Sequence, residues 1–393
     1  VAHNAYHYRG GEDTVVDAEV ALLRRHGHDV RLYRRDNAEL ARMPRVRAGL
    51  AAIWSRQTID DLERLHREFA PQLIHAHNTF PLISPSLFGA ARRLAIPVVQ
   101  TLHNFRLLCP QAMLLRAGHG CTDCVGRFPW RGVLHRCYRK SYAQTAITAA
   151  MLGVHRLAGT WRRDVQRYIV LNQMCRDLFV AGGLPLEKMA IKPNFVECPA
   201  TRPEGERAGG IFIGRLSPEK GIVTLAAALQ RVPGLQIDVY GNGPLREVVE
   251  RTPGMRYCGF QPADILRKRM HGAAYLVVPS TGIESFGLVA IEAFACGTPV
   301  IASGHGGLRE IVVHRKNGLL VAPGDPDELA KALREAEHQP EDMRRMGEAA
   351  YQTYLAHYTP ERNYDMLMRI YDEAIAARPA PCPLPYAQDR PGR

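Results

Sequence analysis

A chain of 393 residues is longer than one ordinary hydrophobic core supports and suits two domains. Its hydrophobic content of 46% and charged content of 23% are those of a globular protein, and no run of 18 apolar residues offers a membrane-spanning helix. The net charge of +12 is lopsided: residues 1–195 hold 28 Lys and Arg against 15 Asp and Glu, and the rest hold 23 against 24. Two readings follow. The arginines are simply solvated, or the first half faces an anionic membrane surface or a phosphorylated acceptor. Nucleic acid is disfavoured, because no recognised nucleic-acid motif accompanies the charge.

Strand-like apolar runs alternate with helical patterns, as in parallel sheets covered by helices. In the first half the expected strands are 1–4, 29–33, 73–76, 98–102, 168–171 and 189–192, with helices such as 13–25 and 59–68 between them. The first of these reads as the tail of a strand. Residues 104–140 break the rhythm and read as an insertion over the carboxyl edge of the sheet. The stretch 198–210 has a linker composition. Alternation restarts with strands at 211–214, 236–240, 255–258, 275–278, 299–302 and 318–321. Helices are expected at 221–231 and 262–271, and three in succession at 326–338, 341–356 and 360–377. A Pro-rich tail, 378–393, reads as disordered. Two such α/β units, 1–195 and 209–360, make a cleft between their carboxyl edges, where closure excludes water from a two-substrate reaction.

The most informative stretch is Glu284-Ser285-Phe286-Gly287-Leu288-Val289-Ala290-Ile291-Glu292. Glu284 sits at a strand-to-helix junction, the usual place for ligands in α/β proteins. Glu292 lies two turns on, about 12 Å along the helix axis. Gly214-Arg215-Leu216-Ser217-Pro218-Glu219-Lys220-Gly221 opens the second half. An Arg fork and a Lys charge beside free backbone N–H groups suit a diphosphate. Tyr240-Gly241-Asn242-Gly243 reads as a cleft-lining turn.

In the first half, His103 ends a strand and points to the cleft, where an imidazole can donate to a hydroxyl or a phosphate. Gly10, Gly11, Glu12 and Asp13 form a turn able to approach a phosphate or an acceptor. His77 and Asn78 are further cleft candidates. Within the insertion, Cys109-x11-Cys121-x2-Cys124-x12-Cys137 allows three readings: a structural zinc, reduced thiols or a redox pair, with His119 as a substitute ligand.

Together these motifs closely resemble the retaining glycosyltransferases of family 4, which have the GT-B fold of two Rossmann-like domains facing across a cleft. Further support comes from Gly304–Gly324, and the insertion resembles a bacterial polysaccharide-assembly subgroup. The resemblance implies that Arg215 and Lys220 hold the diphosphate of a nucleotide sugar. Glu284 then binds sugar hydroxyls, helped by Ser285, Phe286, Gly287 and Leu288, while Glu292 binds the ribose and His103 faces the sugar from the other domain. It also implies a glycan or lipid-linked acceptor, the last helix packed back on the first domain, and no cofactor or metal needed for phosphate binding. Asn104 stands where relatives often carry Asp. The expected location is cytoplasmic, peripheral to the inner membrane face if the basic half meets anionic lipid. A silent nucleotide-sugar-binding scaffold and a GT-B nucleotide-sugar epimerase are the alternatives.

Overall fold

The computed structural model describes residues 1–6, 10–197, 205 and 207–379. Most of the expected linker and residues 380–393 of the expected tail therefore lie outside the described residues.

Two six-stranded sheets organise the chain. The first contains β1 (Ala2–Ala5), β2 (Tyr33–Asp36), β3 (Ile74–Ala76) and β4 (Val98–Thr101). A two-stranded hairpin, β5 (Leu115–Arg116) and β6 (His119–Gly120), stands apart from it, and β7 (Arg167–Val170) and β8 (Met189–Ile191) complete the sheet. The spatial order is β2-β1-β3-β4-β7-β8, all parallel. The second sheet contains β9 (Gly210–Ile213), β10 (Ile237–Tyr240), β11 (Met255–Gly259), β12 (Tyr275–Val278), β13 (Val300–Ser303) and β14 (Gly318–Val321). Its order, β11-β10-β9-β12-β13-β14, is the doubly wound arrangement with its switch point between β9 and β12. The first sheet reverses between β1 and β3. Each domain thus opens a crevice at its own switch point.

The central strands are buried on both faces, as parallel strands sandwiched between helices must be, and they read as continuous apolar runs. The edge strand β2 departs from the sequence reading, which placed it at 29–33. Its residues are Tyr-Arg-Arg-Asp, and its one buried position, Arg35, is tolerated because its guanidinium grips Glu39 at 2.7 Å. Paired Arg at an edge leaves no apolar signal to read.

The last helix, Pro360–Ala376, lies against the first sheet. Leu367, Ile370 and Ala374 are buried with Leu23, Val99 and Ile169, and Tyr364, Met368 and Tyr371 pack alongside. These positions recur at three- and four-residue spacing, the single apolar stripe a helix needs to seat on a sheet. Polar ties reinforce the seat. Arg167 pairs with Glu373 at 2.9 Å, and the Asn363 amide donates to the Pro193 carbonyl at 2.7 Å.

Among the described residues no helix is long and apolar enough to cross a membrane. Basic side chains of the first half fall into an engaged set and an exposed set. Arg24, Arg25, Arg34 and Arg35 are engaged by neighbouring groups, and Trp161 is buried. Arg42, Arg45 and Arg47 are exposed, and Val46, Leu50 and Trp54 stand out to solvent on and beside the same 45–53 helix.

Candidate active site

Loops at the carboxyl ends of β9 and β12 meet at the switch point of the second sheet. Gly214–Gly221 follows β9. Gly221 adopts φ +75°, and a Cβ there would fall 1.8 Å from the Pro279 carbonyl oxygen, so only glycine lets these two loops touch. That contact brings Lys220 to Glu284, with Nζ 2.6 Å from Oε1. The Ser280 hydroxyl donates to the same oxygen at 2.8 Å. Burial pushes the Glu284 carboxyl up, but the Lys220 charge and the hydrogen bonds from Lys220 and Ser280, with a smaller pull from His305, more than offset it. The net shift is downward, and Glu284 stays ionised. Arg215 is exposed on the same crossover.

Behind Glu284 the chain turns at Gly287, φ +100°, into the 288–295 helix. Phe286 is buried in the second core, and Leu288 approaches the Gly11 backbone of the other domain. Glu292 is half-buried on this helix. Burial pushes its carboxyl up to about 7, only partly offset by Arg267. A group near neutral in charge suits hydroxyl pairing, because it can both donate and accept.

His305 was not singled out in the sequence. Both of its ring nitrogens are buried with no hydrogen-bond partner among the described residues, beside Glu284. Orphan buried polar atoms are costly unless a ligand pairs them. The available signal was the loop Gly304–Gly307 at the end of β13, one strand from Glu284.

Across the cleft the two domains are in contact. The Ser285 hydroxyl donates to the His103 carbonyl at 2.6 Å, and the Asn172 amide donates to the Ser285 carbonyl at 2.7 Å. Glu310 accepts from the backbone N–H groups of Gln173 and Met174 at 2.9 and 2.7 Å. A carboxylate from one domain thus caps a helix start in the other, where the helix dipole favours it.

The His103 ring sits at the back of the cleft. Its Nε2 lies 2.8 Å from His77 Nδ1. His77 Nε2 in turn lies 3.4 Å from Glu19 Oε1, while Glu19 Oε2 meets Lys192 Nζ at 3.0 Å. One imidazole donates to the other across the 2.8 Å contact, while the 3.4 Å approach of His77 Nε2 to Glu19 is not a hydrogen bond. Burial first, and then its neighbouring imidazole, holds His103 well below the ordinary histidine value, so it is neutral. His103 Nε2 is therefore engaged by His77, which leaves Nδ1 as the nitrogen for the cleft. His77 is buried behind His103 and does not line the cleft, and Asn78 ties β1 through the Asn4 carbonyl at 2.8 Å.

Glu19, His75 and His77 lie close enough together to suggest a metal site. The chemistry argues otherwise. The Lys192 ammonium already neutralises Glu19, His75 Nδ1 meets both the Tyr371 hydroxyl at 2.7 Å and Glu19 Oε1 at 2.9 Å, and His75 Nε2 meets Thr101 at 2.8 Å.

The turn at residues 10–13 also departs from the sequence reading. The Asp13 carboxylate accepts from the backbone N–H groups of Gly10 and Tyr6 at 2.9 and 3.3 Å. Glu12, pushed up by burial, accepts from the Tyr6 hydroxyl at 2.8 Å and the Asn104 amide at 3.3 Å. Two carboxylates at the helix start disfavour a phosphate there, leaving the acceptor-hydroxyl reading. Asn104 fits because its amide meets Glu12, where an Asp would repel it. Gly241 and Gly243 serve packing, since a Cβ on either would strike the backbone of Gly214 or Leu216.

The four insertion cysteines are free thiols around one small cavity, and His119 is exposed and does not line it. A cavity of about 340 Å³ lies elsewhere, lined by Asp238, Tyr240, Arg256 and Cys258, with no donor-site residue on its wall.

Two facing parallel-sheet domains, with a cation–carboxylate pair at the switch point of the second, define the GT-B architecture. Residues 9–198 match the family model described as Glycosyltransferase Family 4, and residues 201–353 match that of glycosyl transferases group 1. Taken with the fold, these matches support a family 4 glycosyltransferase. The uncharacterized glycosyltransferase MJ1607 of Methanocaldococcus jannaschii is 38% identical over 130 residues, 30% of this chain and 33% of that protein. The 2-deoxystreptamine N-acetyl-D-glucosaminyltransferase of Streptomyces fradiae is 29% identical over 360 residues, 81% of this chain and 76% of that protein. The chain thus spans about a third of the first relative and three quarters of the second. The crystal structure of Anabaena Alr3699/HepE in complex with UDP superposes with a TM-score of 0.65 at 17% identity, covering 94% of this chain and 98% of that one.

Proposed function

We propose that this chain is a retaining glycosyltransferase that moves a sugar from a nucleoside-diphosphate sugar to a glycan or lipid-linked acceptor in polysaccharide biosynthesis. The carrying observation is the 2.6 Å pair of Lys220 and Glu284 at the β9/β12 switch point. An incoming diphosphate competes for Lys220 and is completed by Arg215, which releases Glu284 to accept from sugar hydroxyls. Glu292 meets the ribose. His305 and Nδ1 of His103 face the sugar from opposite domains. The UDP held by the Anabaena structural neighbour is consistent with this class of donor.

In the reaction, the bond from the anomeric carbon to the diphosphate oxygen breaks, and the electron pair leaves with the diphosphate. Lys220 and Arg215 stabilise that charge. The acceptor hydroxyl, received near Glu12, forms the new bond on the same face and gives its proton to the departing phosphate oxygen. Glu284 and Glu292 lie on one turn and helix, so they orient hydroxyls and do not flank a scissile bond as a hydrolase pair would. Exposed Arg42, Arg45 and Arg47 beside Val46, Leu50 and Trp54 support peripheral contact of the first domain with anionic lipid at the inner membrane face.

The test is a panel of nucleoside-diphosphate sugars assayed for nucleotide release, with the anomeric configuration of the freed or transferred sugar read by NMR. Retention with at least one donor is expected. Inversion would overturn the retaining assignment, and no release from any donor would favour the binding scaffold.

A further inference from the structure

We propose that Cys109, Cys121, Cys124 and Cys137 form a structural tetrathiolate zinc site that clamps the 104–140 insertion beside the donor loop. The four side chains come from four separate places in the chain. Cys109 lies past the end of β4, Cys121 directly follows β6, Cys124 closes the turn after it, and Cys137 follows the 130–134 helix. All four line one cavity of about 10 Å³, roughly one small sphere, although no three of their sulfurs lie within 4.8 Å of one another, so binding must draw them together. Nothing else in that lining competes as a ligand. Its one carboxylate, Asp123, pairs with Arg116 at 2.7 Å and Arg131 at 3.8 Å.

The surroundings suit the charge such a centre carries. Four thiolates around Zn²⁺ leave a net charge of −2, and Arg116 and Arg131, less the Asp123 carboxylate they share, offset part of it. Binding converts four thiols to thiolates and releases four protons to solvent, with no change of oxidation state. The insertion holds little regular structure, a short hairpin and one short helix, and is anchored to the first core through Phe105, Leu108 and Leu114. Arg106 joins its two ends, bonding the Pro110 carbonyl and standing 4.9 Å over the Tyr138 ring.

The clamp has a consequence for the cleft. Ile283, the residue before Glu284, packs against the core cluster that includes Leu114 and Cys109. Gly120, on the hairpin between Cys109 and Cys121, faces Ile283 Cδ1. A rigid insertion therefore supports the donor loop from the opposite domain.

Metal analysis of the full chain purified without added metal or chelator tests this. About one zinc per chain is expected. Replacing it with Co²⁺ should give the ligand-field bands and near-ultraviolet charge-transfer band of a tetrahedral thiolate centre. Organomercurial titration should release the zinc in step with loss of four thiols. The double variant Cys121→Ser/Cys124→Ser should lose the metal, while Cys258→Ser keeps it. Because the wild-type stoichiometry is decisive alone, a variant that fails to fold does not blunt the test. No metal with four freely titrating thiols, disulfides among these cysteines, or iron in place of zinc would each overturn the proposal.

Discussion

Glu284→Gln is expected to lower transfer turnover by about 10²–10³-fold, the usual cost of removing one preorganised partner of the reacting sugar. Nucleoside-diphosphate affinity should hold or rise slightly. The reason lies in the ligand-free pair: Glu284 occupies Lys220 at 2.6 Å, and the amide releases that ammonium for phosphate. Gln keeps the size of the side chain but loses the charge that holds Lys220 and the second oxygen able to accept from a sugar hydroxyl. Steady-state nucleotide release and a direct binding titration on the same preparation separate the two effects. Wild-type turnover in the variant would sink the role given to Glu284.

Lys192→Met is expected to destabilise the fold by about 3–5 kcal/mol, because it leaves a buried carboxylate unpaired. Lys192 and Glu19 are each about 2% exposed, and the ammonium also holds the Asn363 side chain of the last helix at 2.8 Å. Urea denaturation measures the loss, and adding Glu19→Gln should recover part of it by removing the stranded charge. The sign with pH follows from Glu19. Burial pushes its carboxyl up, but Lys192, His75 and His77 pull it further down, so its folded value lies well below the ordinary 4.5. Its contribution is complete above the unfolded carboxylate range and fades as pH falls through the folded value. The variant should show a weaker loss on the acid side. Unchanged stability in Lys192→Met would show that Glu19 needs no cation.

Much of the architecture was legible because buried parallel strands announce themselves as apolar runs. The strand at 275–278 and the helix at 326–338 fall where the pattern placed them. β2 did not, since an edge strand carried by an Arg–Glu pair lacks that signal. Lys220 and Glu284 were readable as separate motifs, but their 2.6 Å contact depends on Gly221 meeting Pro279 across a switch point. The Glu19–His77–His103 network was hidden for a different reason. Its members lie far apart in the chain, and the local clue was two carboxylates, Asp13 and Glu19, on the buried face of the 11–25 helix.

The central claim is that the β9/β12 crevice holds a nucleoside diphosphate through Lys220. Calorimetric titration of a panel of nucleoside diphosphates into the wild-type chain and Lys220→Met tests it most directly. The account predicts that at least one binds the wild type and that the variant weakens it at least tenfold, about 1.4 kcal/mol. Failure of every nucleoside diphosphate to bind the wild type, or equal affinity in Lys220→Met, would contradict it.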